Sequence, residues 1–326
     1  MTIIFFGSSE FAVPTLRALF NSGYSLPAVV TVPDQPVGRE HVLTPPPIKR
    51  EAEKLGLKVL QPETLKNYDF LDEIKALEPD LGVVAAYGKI IPERYLNMPK
   101  HGFLNIHPSL LPKYRGPTPI QSAILNGETT TGVTIMVVDK EMDHGPIIRQ
   151  TTYDQPAWPV GRQPTIFYKQ IHDELAELGA KLLVETIPDY VNGKTKPVEQ
   201  DHSQATFTKF FSRIEGHIDW SQTAGQVYNK IRALNPEPGT WTIWRGALMN
   251  IRGSENWKLR ITPAYRPGRQ PTTYDIGTII KENGKIIVEC GEGYLELDRI
   301  LLEGKKETSA LEFSNGHPDF IGSKFG

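Results

Sequence analysis

Short unbroken apolar runs alternate with amphipathic segments through the first half of the chain. Residues 2–6, Thr-Ile-Ile-Phe-Phe, read as a buried strand. The turn Gly7-Ser8-Ser9 follows, then a helix over about 10–22 and a second strand at 28–32. Residues 81–85 and 102–107 carry two more strand-like runs. Strand, turn, helix, strand is the rhythm of a mostly parallel α/β sheet with helices on its faces. In such sheets ligands bind beyond the carboxyl ends of strands. A long helix is expected over 164–187, because Ile171, Leu175, Leu178 and Leu182 fall on one face.

The pattern changes after residue 208. One helix over 221–234 is ended by Asn235-Pro236-Glu237-Pro238-Gly239. Strand-like runs follow at 240–244, 257–262, 277–280, 285–290 and 294–302. Turns such as Glu282-Asn283-Gly284 separate them, and short strands at this spacing predict a small barrel. The polar stretch before the change is expected as a linker. The domain reading is 1–190, a linker at 191–207, and 208–326. There is no internal repeat.

The 326 residues are enough for two domains that each bury a core. With 39% hydrophobic and 23% charged residues, the chain is neither disordered nor fibrous in composition. No apolar run approaches the ~20 residues of a membrane helix, so no membrane partner is expected. The N-terminus runs straight into the first strand without the features of a signal peptide, which predicts a cytoplasmic protein. Cys290 is the sole cysteine, which excludes an intramolecular disulfide and a thiolate zinc site. His101, His144, His172, His202, His217 and His317 show no metal-ligand spacing, so no metal is expected.

The most informative segment is Asn105-Ile106-His107-Pro108-Ser109-Leu110-Leu111-Pro112. Side chains two apart on a strand share a face, so Asn105 and His107 project together, and Pro108 stops the strand just after them. Asp143 lies in Met142-Asp143-His144-Gly145, in a loop able to return it to the same edge. An amide, an imidazole and a carboxylate suit acyl transfer to an amine. Asn105 would donate to the developing oxyanion. His107 would either stabilise the tetrahedral intermediate or act as a base, and Asp143 would orient His107 and help take the amine proton. The bland alternative is a satisfied polar residue at a strand end and an ordinary Asp-X-Gly turn. Gly7-Ser8-Ser9 lacks the later glycines of a dinucleotide fingerprint.

The segment 105–116, Asn-Ile-His-Pro-Ser-Leu-Leu-Pro-Lys-Tyr-Arg-Gly, followed by the Asp-X-Gly at Asp143, resembles the signature of the folate-dependent formyltransferases. The resemblance implies a Rossmann-like, mostly parallel sheet and 10-formyltetrahydrofolate as co-substrate. It places Asn105, His107 and Asp143 in the catalytic trio and Ser109, Leu110, Leu111 and Pro112 in the folate-binding loop. Ala86, Tyr87 and Gly88 match a second strand end beside the pterin pocket. Further segments are similar to the methionyl-tRNA formyltransferase branch of that family. They include Phe6-Gly7-Ser8-Ser9-Glu10-Phe11-Ala12, the run 32–39 ending in Arg39, Ile218-Asp219-Trp220, Ile231-Arg232-Ala233-Leu234-Asn235-Pro236, Gly304-Lys305-Lys306 and Gly316-His317-Pro318-Asp319-Phe320. This implies an OB-like β-barrel as the C-terminal domain, initiator methionyl-tRNA as acceptor, and a role in translation initiation. Transfer would go by direct attack through a tetrahedral intermediate.

Regional charge agrees with a nucleic-acid partner. The whole chain carries −2, yet residues 208–270 hold ten basic residues against four acids, a net +6. Arg39, Lys209 and Arg232 are the expected tRNA contacts. The surrounding loop 33–47 contains Gly38 and five prolines and is expected to be irregular. Here Glu40, His41 and Val42 follow Arg39, where the family loop carries more basic residues. The proline-rich stretch 156–164 has no assigned role. A sugar N-formyltransferase would share the first domain but not the tRNA-type second one, and a catalytically silent RNA-binding protein would not need the trio.

Overall fold

The computed structural model describes residues 1–38, 41–154, 167–252, 261–262 and 274–326. It divides into two units: residues 1–119, 130–153 and 172–208 form the first, and 120–129, 154–171 and 209–326 the second.

Through residue 208 the elements run β1 (Ile3–Gly7), α1 (Val13–Asn21), β2 (Val29–Val30), β3 (Gln35–Val37), β4 (Val42–Thr44), α2 (Pro47–Lys54), β5 (Val59–Leu60), α3 (Tyr68–Lys75), β6 (Leu81–Ala85), α4 (Glu93–Leu96), β7 (Phe103–His107), α5 (Pro119–Leu125), β8 (Thr130–Val137), β9 (Ile147–Asp154) and α6 (Tyr168–Val191). The main sheet has the order β5-β2-β1-β6-β7-β8-β9. From β5 to β7 all pairs are parallel, and β8 then runs antiparallel to β7. Every residue of β1 is buried, as in a sheet covered on both faces. One core cluster gathers Phe6, Tyr87, Tyr95 and Phe103 around Ile4, Val30 and Ile74.

Two expectations change in detail. The first helix opens as a 3-10 turn, Glu10–Ala12, before α1 takes over with Pro14 in its first turn, where no amide hydrogen is needed. The loop 33–47 is not wholly irregular, because β3 and β4 pair as an antiparallel ribbon in register Gln35↔Thr44 and Val37↔Val42. Only Pro36 falls inside a strand, and a two-stranded ribbon is all edge, where proline is tolerated.

The stretch read as a linker is built into the first unit. Val198 and Ile147 exchange backbone hydrogen bonds at 2.8 Å each. The Arg115 amide donates to the Thr206 carbonyl (2.8 Å), and the Thr208 amide donates to the Arg115 carbonyl (2.7 Å). The Thr206 hydroxyl also accepts from the Tyr114 amide at 2.8 Å, so a polar side chain of this stretch helps to satisfy the backbone of the loop after β7.

In the second unit α7 (Ala224–Leu234) starts at a capping box of Thr223 and Gln226. Then follow β10 (Thr240–Trp244), β11 (Ala247–Ile251), β12 (Ile261–Thr262), β13 (Ile279–Glu282), β14 (Lys285–Glu289), β15 (Tyr294–Leu297), β16 (Arg299–Leu302), β17 (Thr308–Ser309) and α8 (Ala310–Gly316). They form two small antiparallel sheets, β10-β11-β16-β17 and β12-β15-β14-β13. Trp220, Ile231, Met249, Val288, Leu295, Ile300 and Phe320 belong to one core between these elements. The run 294–302, expected as one strand, is divided between the two sheets at Asp298, whose carbonyl accepts from Ala310 N at 2.7 Å.

Candidate active site

β7 carries two of the three expected catalytic side chains. Asn105 and His107 alternate with the buried Leu104 and Ile106, and β8 holds them in register, Asn105 opposite Met136 and His107 opposite Thr134. β8 finishes beside Leu104, so the loop carrying Asp143 starts there and not beyond His107. The loop folds back over the Asn105–His107 face. Gly145 allows this, because a Cβ there would lie 2.0 Å from the Val137 carbonyl oxygen.

The structure brings Asn105, His107 and Asp143 together. Asp143 Oδ1 lies 3.5 Å from both Asn105 Nδ2 and His107 Nδ1. Its Oδ2 accepts a 2.8 Å hydrogen bond from the Gly116 amide. Gly116 has φ 112°, and a Cβ there would meet Thr208 Oγ1 at 2.7 Å, so only glycine presents this amide without strain. Asp143 itself has φ 50°, a left-handed conformation that aspartate tolerates better than most residues.

His107 is 4% exposed, and its Nε2 lies 3.0 Å from the Tyr114 carbonyl oxygen. A carbonyl only accepts, so Nε2 carries a hydrogen, and Nδ1 is the ring nitrogen that faces Asp143. Tyr114 also has a left-handed φ of 62°, and its amide donates to Thr206 Oγ1 at 2.8 Å. The segment 206–208 thus clamps the loop that orients the imidazole.

The expected folate loop is pinned from below. Thr134 Oγ1 donates to the Ser109 carbonyl (2.7 Å) and accepts from Leu111 N (3.2 Å) and Gln150 Nε2 (2.8 Å). Gln150 Nε2 also donates to the Leu111 carbonyl at 2.8 Å. Ser109 is fully buried, and its hydroxyl donates to the Lys113 carbonyl at 2.7 Å, so this side chain shapes the loop. Leu110 and Pro112 are half-buried and Leu111 is buried. At the end of β6, Ala86 and Gly88 are exposed, with φ 42° and 81°. Tyr87 between them turns into the core, packing edge-on against Phe6 at 5.3 Å. Burial pushes its hydroxyl up to about 12.

Sequence reasoning passed over a second tier of residues. Gln200 (5% exposed) donates from Nε2 to the carbonyls of Asp143 (3.0 Å) and Gly145 (2.8 Å). Its Oε1 accepts from Arg115 Nη2 (2.7 Å) and Nε (3.2 Å). Arg115 Nη2 also reaches His202 Nδ1 at 2.8 Å, and the His202 ring stacks on His144 at 4.1 Å. A polar residue inside a stretch read as linker gave no local signal of this.

The expected tRNA contacts fare differently. Lys209 is exposed and pairs with Glu215 at 3.2 Å. Arg232 is fully buried, and its Nε donates to Asn229 Oδ1 at 2.9 Å. Desolvation lowers its guanidinium to about 10. A cation at that depth does not meet a phosphate at a surface, so Arg232 is withdrawn as a contact. Counting charge along a sequence does not distinguish a buried arginine from an exposed one. Arg39, Lys258, Arg260, Arg266, Arg269 and the stretch 156–164 lie outside the described residues. Among the described residues, no three His, Cys, Asp or Glu side chains converge to hold a metal ion, and no helix is long and apolar enough to cross a membrane.

Comparison with known proteins decides the family. Residues 1–187 match Formyl transferase, and residues 211–318 match Formyl transferase, C-terminal domain. The chain is 44% identical over 324 residues to the methionyl-tRNA formyltransferase of Chloroflexus aurantiacus, covering 98% of this chain and 99% of that one. This chain belongs to the methionyl-tRNA formyltransferase family. The family member from Caldanaerobacter subterraneus is 40% identical over 318 residues, 97% of each chain. Among solved structures, HypX from Aquifex aeolicus in complex with tetrahydrofolic acid shares the fold, with TM-score 0.58 and 16% identity. That match covers 98% of this chain and 48% of HypX.

Proposed function

We propose that this chain transfers the formyl group of 10-formyltetrahydrofolate to the amino group of methionyl-tRNA, with Asn105, His107 and Asp143 as catalytic residues. The observation that carries this reading is the convergence of Asn105 Nδ2 and His107 Nδ1 on one oxygen of Asp143 within a chain of this family. The methionyl nitrogen attacks the formyl carbon, and negative charge develops on the formyl oxygen. Asn105 donates its amide hydrogen there. The nitrogen's proton passes to Nδ1 of the neutral His107 ring, the nitrogen left free by the Nε2–H bond to Tyr114. The resulting imidazolium is flanked by Asp143. The bond from the formyl carbon to N10 of the folate then breaks, and the proton leaves with N10. Spacings of 3.5 Å around Asp143 leave room for these contacts to tighten during reaction.

The folate lies against the 109–112 loop and the strand end at Ala86 and Gly88 in this reading. The tRNA is held by residues after 208, with Lys209 among them and Arg39 reaching the acceptor end. An Arg39→Ala chain is expected to be impaired in tRNA formylation and to keep folate binding. The deciding experiment compares formyl transfer from 10-formyltetrahydrofolate to charged initiator tRNA and to an amino-sugar nucleotide. Turnover with the tRNA alone, weakening steeply with salt, supports the reading. Turnover with the sugar alone overturns it.

A further inference from the structure

We infer that Gln200 is a positioning residue for the reaction, holding Asp143 over the β7 face through its backbone. This rests on the catalytic reading of Asp143 given above. The carboxamide is oriented without ambiguity: Nε2 faces two carbonyl oxygens, of Asp143 and Gly145, and Oε1 faces the Arg115 guanidinium. Acceptors meet the donor end and donors meet the acceptor end. All three side chains of this arrangement lie low in the protein, Gln200 at 5% and Arg115 at 4% exposure, with the Asp143 carboxylate at 14%.

The arrangement bears on chemistry because Asp143 sits at φ 50°. A left-handed non-glycine residue persists only where its surroundings over-determine it. Gln200 bonds the carbonyls on both sides of His144, Gly116 N bonds the carboxylate, and the His202 ring, fixed by Arg115, stacks on His144. His144 in turn pairs with Asp139 at 2.7 Å. Losing the Gln200 bonds frees the loop that carries the carboxylate. Displacement by about 1 Å of a group near the reacting atoms costs on the order of 10² in rate.

Gln200→Glu is the discriminating variant. It keeps the shape and strengthens the contact with Arg115, but turns an acceptor oxygen toward two carbonyl oxygens. If Gln200 served only to pair with Arg115, the substitution would leave turnover intact. As a positioning residue it should lower kcat about 10- to 100-fold. The KM for 10-formyltetrahydrofolate should stay within about twofold, since uniform binding is untouched. The effect should also run through Asp143, so Q200E added to Asp143→Ala should cost nothing further. Wild-type turnover by Q200E, or the same fold loss on top of Asp143→Ala, overturns the inference. Full turnover by Asp143→Ala alone overturns the catalytic reading of Asp143 instead, so the two failures are distinct. Should Q200E not fold, Gln200→Met is carried through the same cycle, with the same outcomes deciding.

Discussion

His107 Nε2 and the carbonyl oxygen of Tyr114 lie 3.0 Å apart, and this pairing decides which ring nitrogen faces Asp143. With Nε2 donating to that carbonyl, Nδ1 is the nitrogen left on the side of the carboxylate. A backbone carbonyl held by a left-handed Tyr114 thus fixes the orientation of a buried imidazole. The chemistry at the strand end depends on the loop that follows it.

His107→Ala is expected to lower kcat by ~10²–10⁴, the usual cost of removing a positioned acid or base. Asn105→Ala, which removes an oxyanion donor, should cost ~10²–10³. Both chains should remain folded by circular dichroism. Near-normal turnover by folded His107→Ala would take His107 out of the mechanism.

Gly116→Ala should damage stability and turnover together. The new methyl would sit 2.7 Å from Thr208 Oγ1 and 2.9 Å from its carbonyl, at a backbone φ of 112°. Such a strained position costs about 1–3 kcal/mol. The amide that holds the Asp143 carboxylate would shift with it. The check is a denaturant melt alongside steady-state kinetics, and an unchanged kcat would mean that the Gly116 contact is dispensable.

Thr134→Val keeps the shape of a fully buried side chain and removes a hydroxyl that three groups share. Leaving buried partners unmet costs roughly 1–3 kcal/mol. The slackened 109–112 loop should raise the KM for the folate more than it lowers kcat. A KM at the wild-type value would show that the loop keeps its form without this hydroxyl.

Cys290 offers a pH test of the second unit. Burial first, and the neighbouring Glu289 charge second, push its thiol up to about 12. The unfolded chain ionises near the ordinary thiol value of about 8.5. Below that value both states keep the proton, and this contribution to stability is fully present. As pH rises from there toward about 12, the unfolded state alone loses its proton, so the contribution is progressively lost. Thiol reagents at neutral pH should therefore label the native chain slowly and the denatured chain at once. Rapid labelling of native protein would contradict the burial.

Much of the first unit was legible because its signals are local. The strand at 81–85 coincides with β6, and the strand carrying Asn105 and His107 is one residue shorter than expected. Alternation along β7 and the proline after it need only neighbouring residues to be read. The parts that were missed depend on contacts between residues far apart in sequence. Gln200 meets Asp143 across 57 positions, and Arg115 meets Gln200 across 85. Arg232 looked like surface charge because a charge count carries no depth. The division of 294–302 into β15 and β16 follows from which sheet each half joins, which no propensity reports.

The clamp at residues 206–208 also bears on how the protein is made. Synthesis proceeds from the N-terminus, and domains fold as they emerge. A nascent chain that has reached residue 190 already contains Asn105, His107 and Asp143. It still lacks Gln200, which holds the Asp143 loop, and Thr206 and Thr208, which brace Tyr114 and Arg115. The cluster around Asp143 is therefore encoded early and closed late, just before the last and longest segment of the second unit, 209–326, is made.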